Sequence, residues 1–138
     1  MRWPGLFFMR TYHIYTDASV KIEKNYVSQA FIVVTDSHIV CIKLKERQLK
    51  QILFGSNYYE RITIIWAIKY VEKHYNPTNL ICYCDNLNAV QKGYKDYKIK
   101  WIKGHSNVKR FKHRFNNLAD WICKHGPDNW KEYYYSTL

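Results

Sequence analysis

The sequence is poor in acidic residues. It contains 11 Asp and Glu against 22 Lys and Arg, which gives a formal net charge of +11 and an isoelectric point near 9.5. This imbalance argues against a cationic partner and favours a polyanion, such as nucleic acid, or an anionic surface. Because many small basic proteins bind no nucleic acid, the charge alone does not decide between a nucleic-acid partner and none.

Glycine and proline are also scarce, with 5 and 3 copies in 138 residues. The chain has no repeats, no low-complexity stretches and no Ser/Pro-rich linker, so nothing marks a domain boundary. A chain of this length can bury a sizeable core. We therefore expect a single domain over residues 1–138, with residues 127–138 forming a C-terminal tail whose role the sequence leaves open.

The four cysteines (41, 82, 84 and 123) form no Cys-x-x-Cys pair and no Cys/His set with zinc spacing. The apolar patch in residues 1–9 is too short and too interrupted for a signal peptide or a membrane anchor. These absences argue against a structural zinc site and against membrane association. Reduced thiols in the cytoplasm are the expectation, in the host cytoplasm if the protein is phage-encoded.

Apolar periodicity predicts three strands followed by alternating helices and strands. The resulting fold class is α/β, with a mixed five-stranded sheet flanked by helices. The predicted strands are Thr11–Asp17, Val27–Thr35, His38–Leu44, Leu80–Asp85 and Tyr97–Lys103, and the predicted helices are Asn57 to about His74, Asn86–Lys92 and Asn117–His125.

Four of the few acids stand where carboxylates are costly. Asp17 and Asp85 end apolar strands, Glu60 shares a helix face with apolar residues, and Asp120 falls in the first turn of the last predicted helix. Each alone could be a cap or a surface acid. Together at one sheet edge they would repel one another unless a cation lay among them. Oxygen ligands without a His/Cys cluster select Mg²⁺ or Mn²⁺, and paired ions of this kind suit phosphodiester hydrolysis.

The segments around these acids resemble the ribonuclease H type 1 family over about Thr11 to His125. The specific part is Trp-Ile-Lys-Gly-His-Ser (101–106) followed by Asn-Asn-Leu-Ala-Asp (116–120). It comes after Ile-Tyr-Thr-Asp-Ala-Ser (14–19), Asn-Tyr-Tyr-Glu (57–60) and Cys-Asp-Asn (84–86). The resemblance implies a ribonuclease H-like fold and endonucleolytic cleavage of the RNA strand of RNA–DNA hybrids, leaving 5′-phosphate and 3′-hydroxyl ends.

The resemblance also implies roles for individual residues. Asp17 and Asp85 would contact both of two Mg²⁺ ions, with Mn²⁺ as a substitute, while Glu60 and Asp120 would each complete one metal site. His105 matches a histidine that assists catalysis or product release, although it could be an ordinary loop residue. A monomer with no small-molecule cofactor is expected.

Substrate contacts are implied at five positions. Ser56 and Asn57 match residues that touch the nucleic-acid minor groove, where 2′-hydroxyl groups distinguish RNA from DNA. Ser19 and Lys103 lie in the same matching segments. Asn116 matches an Asn that precedes the last acid, but it could equally cap the helix.

Three features depart from the family: the segment that follows Asp17, the interval between Asp85 and Trp101, and the loop before Asp120. The segment Ala18–Lys24 lacks the usual glycine-rich loop, and only 15 residues separate Asp85 from Trp101, too few for the helices and basic handle of larger members. Residues 1–8 precede a natural family start and should be dispensable. The long loop before Asp120 is basic, and we expect it to replace the handle by gripping phosphate, unless it is only a solvated charge run. Its basic residues are Lys109, Arg110, Lys112 and Arg114.

Two other function classes stay open. One is a binding module for hybrids or other nucleic acid that keeps the fold and has lost turnover; the intact acid set argues against it. The other is a DNA-junction resolvase or transposase-type nuclease on the same fold, which the Lys-Gly-His segment and the Glu on the first helix fit poorly.

Overall fold

The computed structural model describes residues 10–104 and 110–137. Residues 1–8, His105 and Lys109, about which the sequence makes predictions, lie outside this range. The strands are β1 (Thr11–Lys21), β2 (Tyr26–Thr35), β3 (His38–Gln48), β4 (Asn79–Cys84) and β5 (Lys98–Trp101). The helices are α1 (Ser56–Tyr75), α2 (Leu87–Lys92), α3 (Phe111–His125) and α4 (Trp130–Ser136), and a 3₁₀ turn covers Ile22–Lys24.

The five strands form one sheet in the order β3-β2-β1-β4-β5. The first three strands pair antiparallel, whereas β4 pairs parallel with β1 and with β5. Asp36 and Ser37 join β2 to β3 with positive φ angles of 52° and 62°, the backbone that a two-residue hairpin requires. The prediction of a mixed five-stranded sheet flanked by helices is confirmed.

The sheet is covered on both faces, so side chains that alternate along a strand enter two different cores. On one face, Ile14 of β1 and Phe31 of β2 pack with Ile64 and Ile68 of α1. On the other, Tyr15 packs with Ile32 of β2 and with Phe115, Leu118 and Ile122 of α3. This two-sided burial explains the near-continuous apolar runs of the central strands.

Two predicted boundaries are wrong in ways that affect the site. Strand β1 does not end at Asp17, because its pairing with β2 continues to Lys21 opposite Tyr26. Helix α3 begins at Phe111, six residues before the predicted start, because Phe115 and Leu118 are buried one and two turns into it. The tail, for which no structure was predicted, contains α4.

No helix in the described part of the chain is long and apolar enough to cross a membrane.

Candidate active site

The register of the two central parallel strands sets Asp17 beside Asp85. Thr16 of β1 pairs with Cys84 at the end of β4, so the next residue on each strand is an aspartate. Asp17 comes two residues after Tyr15, and Asp85 comes two residues after Tyr83. Both carboxylates therefore point to the face of the sheet on which these tyrosines pack under α3. Asp17 is 5% exposed and therefore has little water to stabilise its charge.

Glu60 reaches the same edge from α1, on the opposite side of the sheet. It is 4% exposed, because its helix face also carries the core residues Ile64 and Ala67. Its Oε1 accepts a hydrogen bond from the backbone N–H of Ala18 at 2.8 Å, and its Oε2 accepts one from the Cys84 thiol at 3.1 Å. The carboxylate is thus held by two donors from two strands.

Asp120 completes the group from α3. It stands in the third turn of that helix rather than in the predicted first turn, because the helix begins at Phe111. Its Oδ2 instead lies 3.2 Å from the Nζ of Lys124, one turn later. Asp120 is also within hydrogen-bonding reach of Asp17.

The four acids therefore share one open cleft of about 360 Å³ at the sheet edge. It is lined by Asp17, Ala18, Ser19, Ser56, Glu60, Asp85, Asn86, Asp120 and Lys124. The predicted convergence is present in the structure, and the assignment of the acids as metal ligands stays a prediction.

The electrostatics of this cleft favour a bound cation. Burial, followed by the charges of Glu60, Asp85 and Asp120, raises the pKa of Asp17 well above its ordinary value. Burial likewise raises the pKa of Glu60 to about 7, against the lowering effect of its hydrogen bonds from Cys84 and Ala18. Carboxyl groups that are this reluctant to ionise together are stabilised by a positive ion.

The ligand chemistry in the cleft fits a hard divalent ion. One ligand atom each from Glu60, Cys84 and Asp85 lies within 4.8 Å of the others. Burial, followed by the charge of Glu60, raises the pKa of the Cys84 thiol well above its ordinary value, so this thiol keeps its proton. The donors that remain are carboxylate oxygens, which Mg²⁺ and Mn²⁺ prefer.

The predicted substrate-contact residues differ in position. Ser19 and Ser56 line the acidic cleft. Asn57 is exposed at the start of α1, and its Oδ1 accepts a hydrogen bond from Asn86 Nδ2 at 2.8 Å. Lys103 is exposed after β5. These four positions are open to a ligand, and their contacts with nucleic acid stay predictions.

Two other predicted contacts are wrong, because the side chains are inside the protein. Asn116 is 1% exposed in the middle of α3, so it neither caps that helix nor reaches a substrate. Arg114 is 6% exposed, and its guanidinium donates hydrogen bonds to the carbonyl oxygen of Tyr134 at 3.2 Å and to Thr137 Oγ1 at 3.4 Å. It therefore ties α4 to α3.

The proposed phosphate-gripping loop is divided in the structure. Arg110 and Lys112 are exposed at the start of α3. At 1.5 Å per residue, Lys112 lies roughly 12 Å along the helix from Asp120. The basic residues of this segment that the structure describes, Arg110, Lys112 and Arg114, therefore do not surround the acidic cleft as one element.

Sequence reasoning missed four neighbours of the acids. Lys124 was signalled by its i, i+4 spacing from Asp120, and Asn86 by its place beside Asp85. The thiols of Cys84 and Cys123 carried no such signal, because their contacts cross the fold; Cys123 donates to the carbonyl oxygen of Asp17 at 3.4 Å.

Gly104, from the Lys-Gly-His segment, is a further neighbour of the site. A Cβ placed on this residue would lie only 2.8 Å from Oδ2 of Asp85. Real Cβ atoms essentially never approach another heavy atom this closely, so any larger side chain must displace the carboxylate. Gly104 therefore leaves open the space that the Asp85 carboxylate occupies.

Solved structures with this arrangement of strands and helices include two bacterial and archaeal ribonucleases H. The N-terminal RNase H domain of rv2228c from Mycobacterium tuberculosis aligns with a TM-score of 0.58 and 13% identity, over 90% of this chain and 98% of that one. RNase H1 from the halophilic archaeon Halobacterium salinarum aligns with a TM-score of 0.59 and 13% identity, over 86% and 98%. This chain has the ribonuclease H fold.

A viral protein shares the ribonuclease H fold with this chain. The prototype foamy virus protease–reverse transcriptase aligns with a TM-score of 0.67 and 15% identity, over 91% of this chain but only 21% of that chain. No family model matches the sequence, and no curated protein matches it. At these identities the similarity establishes the ribonuclease H fold that the sequence motifs predicted.

Proposed function

We propose that this protein is a metal-dependent endonuclease that hydrolyses the RNA strand of RNA–DNA hybrids, a trimmed member of the ribonuclease H type 1 family. The observation that carries the proposal is the cleft in which Asp17, Glu60, Asp85 and Asp120 converge on a ribonuclease H fold. A binding module has no need of four clustered carboxylates beside a phosphate group.

The trimming is supported by the connection between β4 and β5. The only regular element between them is α2, a helix of 6 residues that ends at Lys92. There is no room there for additional helices or for a basic handle. Substrate affinity must therefore come from other parts of the basic surface.

The carboxylates of Asp17, Glu60, Asp85 and Asp120 would hold two Mg²⁺ ions, with Mn²⁺ as a substitute. Bound ions of this kind activate water, stabilise a leaving oxygen and neutralise charge at phosphorus. Hydrolysis would leave 5′-phosphate and 3′-hydroxyl ends. The protein's share of the chemistry is to keep four carboxylates ionised and oriented.

The described residues divide that work among them. The Ala18 N–H and the Cys84 thiol orient Glu60, and Lys124 compensates part of the charge of Asp120. The Asn57–Asn86 hydrogen bond holds two side-chain amides at the rim, where ribose 2′-hydroxyl groups would be recognised. His105 and Lys103 follow β5, and we assign His105 to product release or proton transfer.

The decisive experiment is cleavage of an end-labelled RNA–DNA hybrid, beside duplex RNA, duplex DNA and single strands, in Mg²⁺, Mn²⁺ or EDTA. Asp85→Asn is assayed in parallel, because it removes a carboxylate charge with little change in shape. We expect cleavage of the RNA strand of the hybrid alone, dependent on metal and lost in the variant.

Other outcomes contradict the proposal in different ways. Tight hybrid binding without cleavage by the wild type would identify a binding module. Cleavage of branched or plain duplex DNA would identify a different nuclease on the same fold. Cleavage that survives in Asp85→Asn would place the chemistry elsewhere in the protein.

A further inference from the structure

A second candidate site lies on the α3 side of the sheet. Two rows of paired residues cross the parallel strands there. His13 of β1 pairs with Ile81 of β4, and two residues further along, Tyr15 pairs with Tyr83, which pairs with Lys100 of β5. Residues two apart on a strand point to the same face, and Tyr15, Ile81 and Tyr83 belong to the core under α3. The side chains of His13 and Lys100 therefore emerge on that face.

Helix α3 packs mainly over β1 and β2. An open cleft of about 590 Å³ lies at its start, larger than the acidic cleft. The cleft is lined by Arg10, Thr11, His13, Tyr15, Val34, Asp36, Ser37, Phe111, Lys112 and Phe115. Its lining combines aromatic rings with cations, and its one acid is Asp36 among the described residues.

Tyr83 connects the cations of this region. Lys112 Nζ stands 5.4 Å from the centre of the Tyr83 ring, and the Tyr83 hydroxyl is 3.2 Å from Nδ1 of His13. The charges of Lys112 and Lys100 add to burial in lowering the pKa of His13. The ring of Tyr83 therefore lies between Lys112 of α3 and Lys100 of β5, and its hydroxyl group contacts the imidazole of His13.

Carboxylates do little to neutralise these cations. Arg10 lies 3.6 Å from Asp36, but both side chains are more than half exposed, so this pair is screened by water. Within the described residues, neither Lys100 nor Lys112 has a carboxylate oxygen within 4.0 Å. The positive charge is thus available to an external anion.

We propose that Arg10, His13, Lys100 and Lys112 form a second nucleic-acid contact, here called the basic groove, that binds backbone phosphates of the substrate outside the acidic cleft. This inference rests on the proposed function for the identity of the substrate. The exposed ring of Phe111 at its edge suits contact with a sugar or a base. The basic groove takes over the affinity that a basic handle would supply.

The basic groove is close enough for one nucleic-acid molecule to contact both sites. His13 and Asp17 are four residues apart on β1, which corresponds to roughly 13 Å. Successive phosphates of a strand advance about 3.4 Å along a duplex axis. The distance between the two sites therefore corresponds to about four nucleotides of a duplex.

The test compares Lys100→Gln/Lys112→Gln with Lys69→Gln/Lys73→Gln in the full chain. The control pair removes the same charge from exposed positions on α1. Binding of a fluorescein-labelled RNA–DNA hybrid is measured by anisotropy in Ca²⁺, which replaces Mg²⁺ to prevent cleavage, over about 0.05 to 0.3 M NaCl.

We expect the groove variant to bind at least about tenfold more weakly at 0.1 M NaCl and to lower the salt slope of log K by about 2 relative to the control. Equal slopes for the two double variants would overturn the proposal. Because binding is measured without turnover, a wild type that fails to cut hybrids would contradict the proposed function and leave this comparison valid.

Discussion

The thiol of Cys84 donates a hydrogen bond to Oε2 of Glu60 at 3.1 Å inside the acidic cleft. The two residues are 24 positions apart and approach from different elements, β4 and α1. This bond acts against burial, because it lowers the pKa of Glu60 while burial raises it. A neutral, protonated thiol thereby helps a carboxylate to keep the charge that a metal ligand requires.

Replacing Cys84 with Ala should weaken metal binding at low pH. Without the donor, the pKa of Glu60 rises, and protons compete better with Mg²⁺ for the carboxylate. At subsaturating Mg²⁺ we expect hybrid cleavage to fall about three- to tenfold near pH 6.5 and to approach the wild-type rate near pH 9. The pH profile of kcat/KM measures this. Cys84→Ser keeps a donor and should stay close to the wild type; an equal loss in both variants would indicate a packing defect.

Glu60 makes the metal-free protein less stable as the pH rises. Its pKa is about 7 in the folded chain against an ordinary value of 4.5, so unfolding releases a proton between these two values. The free energy of unfolding therefore falls as the pH increases through this window, by an amount on the order of 3 kcal/mol. Urea unfolding in EDTA at pH 5 and pH 8 measures the difference.

Glu60→Gln removes this contribution together with the part of the rise in the pKa of Asp17 that the Glu60 charge causes. The variant should lose less stability between pH 5 and pH 8 than the wild type. Added Mg²⁺ should stabilise the wild type at pH 8 by mass action and the variant less. Parallel pH dependences in the two metal-free proteins would show that Glu60 ionises normally.

Gly104→Ala should reduce activity without unfolding the protein. The added Cβ meets Oδ2 of Asp85 at 2.8 Å, and the carboxylate must move to relieve the contact. Small displacements of a catalytic group are costly, so we expect kcat to fall by roughly tenfold or more while Tm changes little. Gly55→Ala is the matched control, since a Cβ there meets nothing within 4 Å. Full activity in Gly104→Ala would mean that Asp85 has room to adjust.

Arg114→Met should destabilise the fold and leave the salt dependence of hybrid binding unchanged. The substitution removes two hydrogen bonds to the end of α4 and a guanidinium 4.1 Å from the centre of the Tyr134 ring. The expected loss is about 2 to 3 kcal/mol, measured by urea unfolding. Arg110→Met removes the same charge at an exposed position and should cost little. A lower salt slope for Arg114→Met would restore this residue to the nucleic-acid interface.

Local patterns could predict the parts of the fold that depend on one element at a time. The alternation in β1 and the apolar run of β4 predicted the strands that lead to Asp17 and Asp85, and helical spacing placed Glu60 against the sheet. The start of α3 was missed because the basic residues around Phe111 conceal an apolar spacing that continues to Phe115. A charge run can form the exposed part of an amphipathic helix as readily as a loop.

Contacts between distant elements could not be predicted in this way. The burial of Arg114 depends on Tyr134 and Thr137, which lie in the C-terminal tail, a segment for which the sequence predicted no structure. The basic groove depends on the register of three strands and on the first turn of α3. Neither has a sequence signal, because a lysine or arginine has the same local pattern whether it faces water, a phosphate or a carbonyl oxygen.

Because β1 continues beyond Asp17, this acid differs from Asp85 in how its main chain is held. The backbone of Asp17 is paired with Ala30 inside a ladder that runs from His13 to Lys21, whereas Asp85 follows the last residue of β4. The main chain at Asp17 is therefore held within the β1–β2 ladder, whereas the main chain at Asp85 is held through its carbonyl oxygen, which accepts a hydrogen bond from Trp101 Nε1 at 3.1 Å. In the proposed metal site, Asp17 would therefore be the carboxylate whose main chain is fixed by the sheet itself.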